Sequence, residues 1–278
     1  MDYNYCAFVD TATTMRPVAL WLVFTLLTLV AQSSRAETVH LTSLEWPPYS
    51  GADLPENGAS IAVARAAFEA MGHQLDVDFF PWSRTIATAR QEARYVGYIP
   101  EYFLESDAFS VSGSIGDSPL GLVESTARPI EWRTVADLRG YRLGVVQDYI
   151  NTPELDGAIA RGEIEAHPVL TDTQNILKVA AGRVDAAVID RYVLDYLTLH
   201  NPWAAEVKDQ VRMNPQLLAK RTLHIAFETT PAGQRWQRVF NQGIEKIDVN
   251  AIVERYFERY LNQPPPQPSD RAGTGLSD

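Results

Sequence analysis

From Glu37 to Leu261 short apolar runs alternate with amphipathic stretches of helical period, and the alternation restarts halfway, which confines the chain to a layered α/β fold. TVHLTSL reads as a first strand and WPPYSG as an aromatic turn. Ser60 can cap a helix whose Ile61, Ala64, Phe68 and Met71 share a face, with Gly72 as its stop. Leu75, Val77 and Phe79 alternate with polar residues as in a half-buried strand, followed by a helix over SRTIATARQ and a strand over YVGYI. The second round runs through the strand LGLVES, the strand YRLGVVQ, and a helix over TPELDGAIARG with Thr152 at its cap and Pro153 in its first turn. A helix over TQNILKVAAGR leads to the strand VDAAVID. A longer helical stretch, RYVLDYLTLHNPWAAEVKDQVRM, precedes the strand LHIAF and two closing helices. No short-period repeat occurs, so solenoids and propellers are excluded.

The 278 residues are 46% hydrophobic and 21% charged, an ordinary globular mix that excludes a multi-span membrane protein. The net charge of −11 disfavours nucleic acid and anionic lipid, and no basic stripe reverses it. Arg16, the uncharged run Val18 to Ala31 and the small residues Ser34 and Ala36 form the pattern of a secretory signal peptide cut after Ala36. That run of 14 residues is shorter than the roughly 20 of a membrane span, although an uncleaved anchor is the alternative reading. Residues 1–14 have no role in such a signal and fit an upstream mis-start. The chain is thus expected to be exported to the periplasm. Cys6 lies ahead of the cut, so no lipid anchor is expected on it. Residues 263–278 are Pro- and Gly-rich and read as a disordered tail.

In open α/β sheets a ligand sits beyond the carboxyl ends of strands. Those ends carry Trp46 and Tyr49, then Trp82 and Arg84, then Tyr98, Glu101 and Tyr102, then Gln147, Asn151 and Thr152, and finally Asp190. Aromatic walls, one cation and several carboxylates suit a small polar or zwitterionic solute. Each residue has a plainer alternative. Trp46, Trp82, Tyr98 and Tyr102 could be packing residues, Asp190 and Thr152 helix caps, and Glu101 and Glu105 solvated loop acids.

The order WPPY, FFPWSRTIATA, FSVS, DLRGYRLGVVQ, AAGRVDAAVID and LHIAF resembles the type-2 periplasmic solute-binding proteins, and within them the family-3 extracellular binders of polar amino acids that serve ABC importers. The resemblance spans about Thr38 to Leu261. It implies two lobes, each a mixed sheet flanked by helices, joined by two crossover strands near Leu122–Glu124 and Leu223–Ala226. Lobe 1 would comprise 37–122 plus 225–262 and lobe 2 would comprise 123–224. The resemblance further implies a monomer working with an inner-membrane ABC permease, without a cofactor. By the same resemblance Tyr49 covers the ligand, Asp190 takes its ammonium, and Asn151 and Thr152 receive its carboxylate.

The chain departs from the pattern where the family places an arginine on the ligand carboxylate, since that position holds Glu105. Either Arg84 supplies the cation, or the ligand has no carboxylate there and is an amine held by Glu101, Glu105 and Asp190. The five histidines are scattered and no GxSxG, Walker or GxGxxG motif occurs, so no metal or catalytic site is expected. A cleft enzyme of dehydratase or murein-cleaving type using Glu101 and Glu105 is the alternative, as is a receptor module for a signalling partner.

Overall fold

A computed structural model describes residues 1, 36–103 and 105–261. The signal peptide, Cys6 and the tail therefore lie outside the described residues, save Ala36 at the expected cut. Strand β1 (Thr38–Ser43) pairs in parallel with β2 (Gln74–Phe79) and β3 (Gly97–Tyr102), with helices α1 (Ala59–Glu69) and α2 (Trp82–Gln91) as crossovers. In the other half, β6 (Arg142–Val146) pairs in parallel with β7 (Glu165–Val169) and β8 (Ala186–Asp190). Here α3 (Pro153–Ala160) and α4 (Asp172–Ala180) make the connections.

Two long antiparallel strands, β5 (Gly116–Ser125) and β10 (Ala219–Glu228), join the halves into one curled mixed sheet. Each of the pair serves both sides. β5 leaves β10 for β8 at Leu120, and β10 leaves β5 for β3 at Leu223. The expected crossover segments thus lie within β5 and β10. Short strands β4 (Phe109–Val111) and β9 (Val211–Met213) flank them. The closing helices α7 (Pro231–Ile244) and α8 (Val249–Tyr260) return to α1, where Phe240 packs on Phe68 and Tyr256 on Ala59 and Ala62.

Three local details differ from the sequence reading. Gly58 rather than Ser60 precedes α1, and Ser60 is buried in its first turn. Gly72 does end it, at φ +79°, with the His73 amide donating back to the Phe68 carbonyl at 3.0 Å. The long helical stretch is broken at Asn201–Pro202, because a residue before proline is pushed out of helical geometry. It becomes α5 (Arg191–His200), α6 (Pro202–Glu206) and then strand β9, with the Asn201 side chain capping α6. β7 escaped the reading as well; its Pro168 confines it to the sheet edge, where a missing amide costs nothing.

The β3–β10 junction brings two backbones together at Gly97, where a Cβ would collide with the Ala226 carbonyl oxygen. Gly97→Ala is expected to destabilise the protein by about 1–3 kcal/mol, the usual cost of overpacking. Urea unfolding should show a lowered midpoint with an unchanged slope.

Candidate functional site: an acidic aromatic cleft

The parallel strands of both halves point their carboxyl ends at one cleft. After β1 the chain makes a tight turn in which the Ser50 and Tyr49 amides both donate to the Trp46 carbonyl, stacking the Trp46 and Tyr49 rings 4.6 Å apart. The end of β3 supplies Glu101 and Tyr102, the loop after β6 supplies Tyr149, Ile150 and Asn151, and β8 ends in Asp190. Asp172, in the first turn of α4, faces the same space.

Asp190 joins these parts. One oxygen accepts from the Tyr192 and Val193 amides at 2.7 and 3.1 Å and so caps α5. The other accepts from the Ser118 hydroxyl of β5 at 2.6 Å and the Tyr49 hydroxyl at 3.1 Å. Because Ser118 spends its proton on the carboxylate, the Tyr102 hydroxyl donates to Ser118, at 2.9 Å. Cap and cleft roles therefore coexist in Asp190, one on each oxygen.

The cleft is closed. Trp82 Nε1 and Ser83 Oγ on one side donate to the Asp148 carbonyl and carboxylate on the other, at 3.0 and 2.8 Å. Arg221 of β10 stacks its guanidinium 4.4 Å from the centre of the Tyr102 ring and donates to the Asn151 carbonyl at 2.6 Å. Two small voids remain. One of about 40 Å³ has Glu101 as its charged lining, among Trp46, Trp82, Tyr102 and Tyr149. The other, of about 20 Å³, has Asp172 and Asp190, and shares Trp46, Tyr102, Tyr149 and Ile150 with the first. Such volumes hold a few water-sized groups.

Burial dominates the electrostatics here. It pushes the Glu101 carboxyl up to about 7, although the Tyr102 amide, the Tyr98 hydroxyl and Arg221 all favour its charged form. It also raises Asp172 to about 7, with the nearby Asp190 charge adding to the effect. Asp190 rises less, to about 6, because four hydrogen bonds support its charge.

Of the residues named from sequence, Trp46, Tyr49, Glu101, Asn151 and Asp190 meet at the cleft, with Trp82 at its edge. Tyr98 is packed behind it against Phe109 and supports Glu101 through its hydroxyl, and Thr152 caps α3 by accepting from the Leu155 amide. Arg84 is exposed and lies over Phe80, and Gln147 is exposed beyond β6, so neither lines the voids. Arg84 sits on the outer face of α2, which explains why it does not supply the cleft's cation. Glu101 is 5% exposed rather than solvated, whereas Glu105 is exposed and lines neither void.

Sequence reasoning missed Asp172, Tyr149, Ser118 and Arg221. Arg221 had a legible signal, since strand parity places it on the face of Leu223, Ile225 and Phe227. Asp172 had none, because an acid in a first helical turn reads as a dipole partner.

No protein-family model and no curated protein matches the sequence. Solved structures do match. A histidine kinase sensor domain with similarity to periplasmic binding proteins aligns with a TM-score of 0.67 and 18% identity, over 84% of this chain and all of that one. An ancestral arginine-binding protein bound to arginine gives 0.64 and 16%, over 80% of this chain and 97% of that one. The GluR0 ligand-binding core from Nostoc punctiforme, in complex with L-glutamate, gives 0.63 and 16%, over 81% of this chain and all of that one. The fold is therefore the two-lobe fold of the type-2 periplasmic binding proteins.

Glu101, Asp172 and Asp190 titrate near 3.8 to 4.5 in ordinary surroundings and near 6 to 7 in this fold. Between those values the folded state holds more protons than the unfolded state, so stability falls as pH rises through the window. Opposing groups such as Glu163, held at about 2 by Arg161 and Arg139, lose their contribution only as pH drops through its lower edge. The melting temperature is expected to be higher at pH 5.5 than at pH 8. Asp172→Asn should flatten that slope in a calorimetric pH series.

Proposed function

We propose that the chain is an exported, non-catalytic solute-binding protein that closes its lobes on a small polar ligand, an amino acid or related amine. The observation that carries this reading is the cleft itself, where buried carboxylates and aromatic walls from both halves converge. Hinge closure about β5 and β10 is the motion such a fold permits, with strand-end residues absorbing the backbone change. Tyr49, Asp190 and the Asn151 loop are the contacts that would reopen and re-form around a ligand. Delivery to an ABC importer follows from the resemblance in sequence order. The similarity to a histidine kinase sensor domain favours a second reading, in which the same cleft reports its ligand to a signalling partner.

The test is a thermal-shift screen of the exported protein against amino acids, amines, small organic acids and sugars. A ligand at one hundred times its Kd stabilises the folded state by about 2.7 kcal/mol, which corresponds to a rise of roughly 5–10 °C for a chain of this size. The ligand should be recovered unchanged, since a cleft enzyme would consume it. N-terminal sequencing of the same preparation should begin at Glu37; a chain that retains residues 15–36 would contradict cleavage after Ala36.

A permease and ATPase encoded beside this gene would favour transport, and a kinase would favour sensing.

A further inference from the structure

The two voids are chemically alike in a way that narrows the ligand. Each presents carboxylates through a wall of aromatic rings, and the wall is common to both: Trp46, Tyr102 and Tyr149 line the Glu101 void and the Asp172–Asp190 void alike. Three buried carboxylates line the two voids with no arginine or lysine among them, and the cation that acts on Glu101 is Arg221. Its position is already taken, by the Tyr102 ring and the Asn151 carbonyl. Arg84, the other cation expected here, lies outside. The lining thus has a surplus of carboxylates and no cationic side chain of its own.

Asp172 marks where that surplus is uncompensated. It is 8% exposed, it lines the smaller void, and no other described residue donates a hydrogen bond to its side chain. A buried carboxyl in that state either takes up a proton or meets a cation that enters the void. Asp172 lies beside the Asp190 carboxylate in the same void, so an organic ammonium placed there would meet both acids. Aromatic walls stabilise such a cation further, by their negative ring faces. The chain's net charge of −11 raises the local concentration of cations around the mouth.

We propose that the cleft is selective for a small organic cation that lacks a carboxylate, and that the best match is a short diamine with one ammonium at Glu101 and the other at the Asp172–Asp190 pair. This rests on the cleft being the binding site. The methylene chain would pass the Trp46, Tyr102 and Tyr149 rings that separate the two poles. Voids of about 40 and 20 Å³ suit a thin unbranched chain better than a branched zwitterion.

The experiment is isothermal titration of the exported protein, unfolded and refolded to remove any carried ligand. The probes are 1,4-diaminobutane, 1,5-diaminopentane, lysine, norleucine and glutarate. Lysine is 1,5-diaminopentane with one added carboxylate, so that pair isolates the group in question. The diamines are expected to bind at least 10-fold tighter than lysine, with norleucine and glutarate silent. Lysine binding as tightly as the diamine, or norleucine or glutarate binding best, would overturn the proposal and leave a solute-binding cleft standing. Silence from all five probes, with no ligand in the wider thermal-shift screen, would overturn both. Asp172→Asn should cost at least 10-fold in diamine affinity without lowering the melting temperature of the empty protein at pH 8. Unchanged affinity in that variant would remove the second pole. Glu101→Gln tests the first pole in the same way, should Asp172→Asn fail to fold.

Discussion

One carboxylate organises the cleft. Asp190 ends β8, starts α5, grips Ser118 on a strand that joins the halves, and accepts from Tyr49 at the far side. Its burial is tolerable because both oxygens are satisfied, and those same bonds make the closed arrangement specific. The ring stack of Trp46 on Tyr49 is anchored on the opposite half by the Tyr49 bond to Asp190 and by the edge of Tyr49 against Tyr192. A closed cleft therefore depends on an acid that is also a helix cap.

On the proposed reading, the β5–β10 pair lets the cleft open without unfolding. Each strand changes partners midway, so each half keeps its own ladder while the junction bends. Contacts across the mouth combine hydrogen bonds, Trp82 and Ser83 on Asp148 and Arg221 on the Asn151 carbonyl, with the edge of Trp82 against the Tyr149 ring. The hydrophobic interior is extensive on both sides, and the hydrogen bonds at the mouth are ones that water can replace at modest net cost. Affinity in such a protein equals intrinsic affinity scaled by the fraction already able to close.

The α/β pattern was legible because strand and helix periods are local properties. Val39 and Leu41 in β1, Leu75 and Val77 in β2, and the Ile61–Ala64–Phe68 face of α1 announce themselves within a few residues. Thr152 and Gly72 were readable for the same reason, since caps and stops are short-range chemistry. The break at Asn201–Pro202 was also local, yet it lay inside a strongly apolar helical pattern and was overridden by it.

Sequence alone determined the alternating α/β pattern, the acidic surplus and the strand ends from which Trp46, Tyr49, Glu101 and Asp190 emerge. The reason is that periodicity and strand-end position are carried by neighbouring residues. Only tertiary structure decided which cation belongs to the cleft, exchanging Arg84 for Arg221, because that choice depends on which face of a helix or crossover strand meets the other half. The same holds for Asp172. An acid in the first turn of a helix is commonplace, and it becomes a buried carboxyl with a raised pKa only once β8, Tyr102 and Tyr149 are packed around it.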